Sequence, residues 1–333
     1  MILPGGCAMK WADCYQRLCD RALEWLLEEE NPSARYLTLR LLLDLPPDAP
    51  EVLTARRAIP NTPPASRILE AQYPSSADAR TGGYWIRPEA LYSPRYRATM
   101  WQILFLAQLG TPPIPPLQRA CDHVLEKGRR ASDGRFVVGR ASRATLHCLN
   151  GALLWALQQL GYAHDPRVVQ ARAATALDVL RDGFACVNNG GLPCAWGALK
   201  VLRAFLELAA EERTSEVAAA IERGIALLVS APLREATYPA ADGVVSPLWF
   251  ALSFPLTCHA DLLEAMTVLA LAGYGRHAYV QDCIPWLLDK QVTEGRWALE
   301  HTPGKTWARF GEPGHANKWV TLRALYALKL LHR

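Results

Sequence analysis

β-Branched aliphatic residues are scarce. Val and Ile together number 26, against 100 for Leu plus Ala, in 333 residues. Leu and Ala favour helices while β-branched residues favour strands, so this shortage argues against a sheet-rich fold and points to all-α. A charge excess of one sign is also missing. Lys and Arg total 36 against 32 acids, a net +4. Spread over this length, that leaves no electrostatic footprint for nucleic acid. The closest basic clusters, Lys127–Arg130 and Arg135–Arg143, lie in a Gly/Ser-rich stretch and read as solvated loop. No run of about 18 uncharged apolar residues occurs, so no transmembrane span is expected. The longest candidate, Leu248–Leu256, is short and is interrupted by Pro255.

Ready-made chemical motifs are missing too. There is no Cys-x-x-Cys, no His-x-x-x-His and no Gly-x-Ser-x-Gly. Gly304-Lys305-Thr306 has the tail of a phosphate loop, but Leu299 stands where its first Gly is needed. Asn188-Asn189-Gly190-Gly191 is followed by Leu-Pro and reads as a turn. Nine cysteines, an odd number without tight spacing, argue for reduced thiols and a cytoplasmic setting. Met1–Lys10 has no apolar stretch long enough for a secretion signal.

What is present is a repeat. Six Ala/Leu-rich helices are expected, at Arg35–Leu45, Arg97–Gly110, Cys148–Tyr162, Cys194–Leu208, Asp261–Tyr274 and Lys318–Leu331. Second helices are expected between them. Trp11–Glu30 stops at Asn31-Pro32, and Asp165–Arg181 opens with a cap and a proline. Thr214–Ser230 opens Thr-Ser-Glu, and Pro115–Lys127 and Val280–Gln291 fill the same role. Leu199–Leu208 carries Lys200, Arg203 and Glu207 and is the mixed exception among the otherwise apolar repeat helices. The spacing predicts an α/α array, either a closed double-layered barrel of six hairpins, an (α/α)6 toroid, or an open solenoid. The closed form uses up residues 1–333 as one domain, and 24 Pro and 22 Gly then punctuate hairpins.

The segment Trp286-Leu287-Leu288-Asp289-Lys290-Gln291-Val-Thr-Glu-Gly295-Arg296-Trp297 resembles the QW repeat of squalene and oxidosqualene cyclases and their prenyltransferase relatives. Weaker echoes are Gln72 reaching Gly83-Tyr84-Trp85 after an insert, and Asp133-Gly134-Arg135-Phe136. The Gln and Trp of such a motif tie an outer helix to the next inner one by hydrogen bonding and stacking, a structural role. The resemblance implies a toroid whose central cavity takes a hydrophobic, isoprenoid-like small molecule.

In such a toroid the inner helices begin at one end of the cavity. Cys148-Leu-Asn-Gly151, Cys194-Ala-Trp-Gly197, Cys258-His259 and His315-Ala-Asn lie at these starts. Three readings stand side by side: a zinc site of Cys148, Cys194, Cys258 or His259, and His315; small apolar residues packed near glycine; or a reactive thiol. The prenyltransferase β-subunit, which this arrangement resembles, holds zinc with Asp, Cys and His, and its Asp-x-Cys pair is not reproduced. Cys258-His259-Ala260-Asp261 stands where squalene-cyclase-type enzymes show Asp-x-Asp-Asp. Only Asp261 matches, and Ala260 replaces the proton-donating Asp. Asp261 and Glu264, three apart, form a candidate acid/base pair, with Asp261 as a plain helix cap the alternative. His259 joins them as a catalytic candidate. Aromatics near these starts, Tyr96, Trp101, Trp196, Trp249, Phe254 and Trp319, are candidate substrate contacts or core filling. Three functions follow: an isoprenoid cyclase- or transferase-like enzyme, a non-catalytic lipid- or peptide-binding module, or a zinc-thiolate alkyl (prenyl) transferase.

Overall fold

The computed structural model describes residues 11–73, 82–139 and 144–332. Met1–Lys10 and the end of the second basic cluster, Arg140–Arg143, lie outside them. The fold is all-α, and its hairpins follow the expected periodicity. The helices at the six expected repeat positions are α2 (Pro32–Leu41), α5 (Thr99–Gln108), α7 (His147–Gln159), α9 (Ala195–Leu206), α11 (Leu262–Leu271) and α14 (Lys318–His332). Between them run α1 (Trp11–Leu26), α3 (Pro50–Ala58), α4 (Ala65–Glu70), α6 (Pro115–Lys127), α8 (Pro166–Asp182), α10 (Ser215–Leu228), α12 (Ala278–Gln281) and α13 (Cys283–Asp289).

Local chemistry sets the boundaries. Asn31, Asp165 and Thr214 each accept a hydrogen bond from a first-turn backbone N–H, and so cap α2, α8 and α10. Pro32 and Pro166 occupy the first turn, where a missing N–H costs nothing. Two departures from the sequence reading have simple causes. The Pro-rich stretch Pro46–Pro64, to which the sequence reading assigned no helix, contains α3, because Pro50 starts a helix as readily as it breaks one. The single helix expected over Val280–Gln291 is divided into α12 and α13. Pro285 offers no N–H to the carbonyl of Gln281 and clashes with it, so the helix restarts.

Helix packing runs in two layers. α5 packs on α7, α7 on α9, α9 on α11, α11 on α14, and α14 on α2. α2 and α5 are joined where Ser33 Oγ donates to Leu109 O at 2.8 Å, and Trp319 of α14 donates to Ser33 Oγ at 2.9 Å. α5, α7, α9, α11 and α14 bury most of their residues. Outside them, α6 packs on α5, α8 on α7, α10 on α9 and α8, and α1 on α14. These outer helices are amphipathic, with one buried face. One continuous apolar core reaches from Cys14 to Leu331. Among the described residues, no helix is long and apolar enough to cross a membrane.

The motif segments are built alike. Trp297 donates its indole N–H to Leu287 O of α13, and its backbone N–H to Thr321 Oγ1 of α14. Trp85 donates its indole to Ile68 O of α4 and its backbone N–H to Thr99 Oγ1 of α5. Phe136 donates its backbone N–H to Asn150 Oδ1 of α7. All three rings are fully buried. Gln291 closes its own turn by accepting from Gly295 N at 2.6 Å, between the short paired strands β1 (Gln291–Thr293) and β2 (Arg296–Trp297). Each aromatic therefore staples the end of an outer helix to the first turn of the next inner one.

One basic cluster is not the solvated loop expected. Arg135 is buried, pairing with Asp133 at 2.8 Å and with buried Asp178 of α8. Burying a guanidinium is tolerable because two carboxylates face it.

Candidate functional site

Two cavities lie between the inner helices. The first, about 310 Å³, is central: α2, α5, α7, α9, α11 and α14 all contribute to its wall. The second, about 370 Å³, is a chamber at the N-terminal ends of α5, α7 and α9, closed by the loop before α11. Thr257 lines both. The segment carrying it is held across the interior: Gln108 of α5 donates to Leu256 O at 2.8 Å and accepts from Leu256 N at 2.7 Å. Phe254 stacks flat on Trp319, ring centroids 4.9 Å apart. That strap is the partition between the cavities.

The candidate residues divide between the two. Tyr96, Trp101, Trp196, Trp249, Cys148, Cys194, Cys258 and His259 line the chamber. Phe254, Trp319 and Glu264 line the central cavity. Asp261 lines neither, and His315 is exposed on the loop before α14.

The expected Asp261–Glu264 acid/base pair is not assembled. Asp261 caps α11 by accepting from Glu264 N at 2.8 Å, and accepts from Ser253 N at 3.0 Å. Arg323 of α14 grips it with two bonds of 2.6 and 2.9 Å. Four donors thus occupy this buried carboxylate, and its role is the helix cap. Glu264 faces the cavity but is gripped by Lys200 Nζ at 2.7 and 2.9 Å. Both members of that pair are buried. Each acid thus holds its own cation.

The central cavity is aromatic and cationic. Tyr36, Trp155, Phe254, Trp319 and Tyr326 line it alongside Arg40, Arg56, Lys200, Arg203 and Arg323. Its own acids are Glu207 and Glu264. Glu207 is held by Arg203, by the Trp155 indole at 2.8 Å and by Gln159 at 2.7 Å. Arg56 lies over the Tyr36 ring, 5.3 Å from its centroid, and donates to Gly110 O. The sequence reading missed these cations. Lys200 carried a signal, a charge on an otherwise apolar helix, but its partner Glu264 is 64 residues away.

The chamber is a thiol cluster. It contains Cys186 in addition to the three cysteines expected. Cys148 neighbours Cys258, and Cys186 neighbours Cys194. The motif glycines have a separate explanation. A Cβ on Gly151 would collide with the backbone of Lys200 and Val201, and one on Gly197 would meet His147 Cβ at 3.0 Å. The Cys-x-x-Gly repeat therefore marks the closest approach of α7 to α9.

The zinc set expected from the sequence does not fit. His315 is not part of the chamber. Among the described residues, the one trio of His, Cys, Asp or Glu ligand atoms all within 4.8 Å of one another is His147, Asp178 and Asp182, not the thiols. Asp178 is already paired to Arg135 and Arg181, so that trio is an ion-pair knot joining α7 to α8.

His259 packs on Trp196, ring centroids 4.7 Å apart, and its buried Nδ1 has no partner among the described residues. Burial first, then His301, Lys200 and Arg95, push its pKa from 6.5 to about 4. The ring is neutral at pH 7. As pH falls, the unfolded chain takes up this proton first, near pH 6.5. The His259 contribution is therefore complete above pH 6.5 and is lost as pH falls toward about 4. Melting temperatures measured across that window should fall more steeply for the wild type than for His259→Phe. Parallel curves would refute the burial argument.

Comparison with protein-family models, with curated proteins and with solved structures gives no match to this chain.

Proposed function

We propose that the chain is a closed (α/α)6 toroid of the terpenoid-cyclase and prenyltransferase type, binding a hydrophobic, isoprenoid-like small molecule with an anionic head in its central cavity. The observation that carries this reading is the cavity of about 310 Å³ to which all six inner helices contribute. Its size falls at the lower end of ordinary ligand sites, about 300–1,000 Å³. Aromatic walls favour an apolar body, and Arg40 and Arg56, the lining cations left over once Lys200, Arg203 and Arg323 pair with Glu264, Glu207 and Asp261, favour a negative head. The ring of successive helix contacts, with Ser33 linking α2 to α5, supports closure over an open solenoid.

Binding is favoured over protonation-initiated cyclisation by one specific feature. The acids near the cavity, Asp261, Glu264 and Glu207, are all engaged by cations. The zinc-thiolate transferase reading is not proposed, because its ligands do not converge.

The test is a fluorescence titration read on Trp155 and Trp319, with farnesyl diphosphate, farnesol and inorganic diphosphate. Farnesyl diphosphate should bind tightest. Arg56→Ala should weaken it about 10-fold or more, the worth of one charged hydrogen bond, and leave farnesol unchanged. Equal binding of farnesol and its diphosphate would remove the anionic head from the proposal. No binding of either would end it.

A further inference from the structure

We propose that Cys186 and Cys194 form a dithiol site that undergoes exchange with a small aromatic or apolar disulfide admitted to the chamber, Cys186 attacking and Cys194 resolving. The site is independent of the central cavity.

The geometry begins with the turn between α8 and α9. Residues 184–186 and 192–194 form a short antiparallel ladder. Cys186 N donates to Leu192 O at 3.1 Å, Cys194 N donates to Phe184 O at 3.0 Å, and Ala185 pairs with Pro193. Residues 186 and 194 flank that pair, so alternation puts both side chains on one face. There both residues line the chamber. Both are half-buried, whereas Cys14, Cys19, Cys121 and Cys283 are buried in the core. Among the described residues no trio of thiols comes within 4.8 Å, so the cluster stands as two pairs and not as one tetrahedral metal site.

The chamber's mouth and walls indicate what enters. Exposed Val187, Leu192, Val244 and Val245 lie on the two loops at its rim. Asn189 ties those loops together, donating to Pro239 O and accepting from Ala241 N. Inside stand the rings of Trp101, Trp196 and Trp249. An apolar rim over aromatic walls favours an apolar or aromatic molecule.

The electrostatics divide the two roles. The hydrogen bond from Cys194, followed by the Asn188 and Asn189 backbone amides, brings Cys186 down from 9.0 to about 6. Sharing that proton, together with burial, drives Cys194 far up. Arg95, Cys148, Asp242, Cys258 and His259 also line the chamber. At neutral pH Cys186 is the thiolate and Cys194 its proton-bearing partner.

In the reaction, the Cys186 thiolate attacks one sulfur of the incoming disulfide. The small molecule's S–S bond breaks and one thiolate leaves, forming a mixed disulfide on Cys186. Cys194 gives up its proton to the departing thiolate and attacks Cys186 sulfur, expelling the second thiolate. The two protein sulfurs are oxidised to one disulfide, and the small disulfide is reduced to one thiol carrying the proton from Cys194 and one thiolate, which takes its proton from solvent.

Dipyridyl disulfide, an aromatic probe, tests this on the reduced full-length chain. At pH 5 a thiol of pKa about 6 is ionised roughly 900-fold more than one at 9.0. Its lower basicity gives back about 20-fold, so modification should run about 50-fold faster than for an ordinary thiol. Two pyridinethiones should be released in that phase, with the chain lighter by two hydrogens and a peptide map joining Cys186 to Cys194. Cys194→Ser should release one and keep a stable adduct on Cys186. Cys186→Ser and Cys186→Ala, checked for native circular dichroism, should both lose the fast phase. The proposal is overturned by a lasting adduct on the wild type, a fast phase that survives in either Cys186 variant, or a cross-link joining other cysteines. Stoichiometric zinc, held through purification and released by the probe, would also overturn it.

Discussion

Replacing Glu264 with Ala should cost about 3–5 kcal/mol of stability, because it strands the Lys200 ammonium in the core. Lys200 and Glu264 are 4% and 3% exposed, and the Lys200 ammonium donates to both carboxylate oxygens of Glu264, at 2.9 and 2.7 Å. The expected pattern is asymmetric. Glu264→Ala and Lys200→Ala should each be severely destabilised in denaturant titrations. The double variant Lys200→Met with Glu264→Leu should recover most of the loss, since an apolar pair of similar volume avoids both desolvation costs. The pair is neutral overall, so the double variant leaves the cavity's charge balance unchanged and should still take up farnesyl diphosphate. A single Glu264→Ala change costing under about 1 kcal/mol would show that water reaches the pair and weakens it.

Asp261→Ala should be damaging to a similar degree, about 3–5 kcal/mol, for a different set of reasons. The carboxylate is 1% exposed and serves three tasks: it caps α11, holds Ser253 N, and neutralises Arg323. Loss of the cap alone is worth about 1 kcal/mol. The larger part is the unpaired guanidinium left behind on α14. Asp261→Asn separates these contributions, because its amide oxygen still caps the helix while the charge is gone. The alanine variant should be the less stable of the two, and both should unfold at lower denaturant than wild type. If the two variants proved equal, the helix cap would be contributing nothing. Near-wild-type stability in both would contradict the geometry, and would reopen Asp261 as a residue kept for chemistry.

Parts of this fold were legible residue by residue. Helix starts at Pro32, Pro115 and Pro166 follow from the rigid φ of proline, and the caps at Asp165 and Thr214 from short polar side chains. The structural role of Trp297 was legible too, since its motif places it directly after an outer helix. The echoes around Trp85 and Phe136 fall at equivalent joints, despite a much weaker pattern. The site was less legible. Eight of the expected residues share the thiol chamber, because the inner helices start at one end. Cys186 was missed although it borders the Asn-Asn-Gly-Gly turn. Reading that turn as a hairpin would have placed Cys186 on the same face as Cys194.

The sequence by itself determined the helical class, the hairpin period and the apolar character of the inner helices. These rest on propensity, capping and periodicity, which act over a few residues. Only the tertiary structure decided which charge meets which. Arg323 reaches Asp261 across 62 positions and Lys200 reaches Glu264 across 64, and no local pattern encodes either match. It also placed His315 outside the chamber and divided the cysteines into pairs. Those outcomes depend on how closely α7 and α9 approach at Gly151, and on the strap that Gln108 holds between the two cavities.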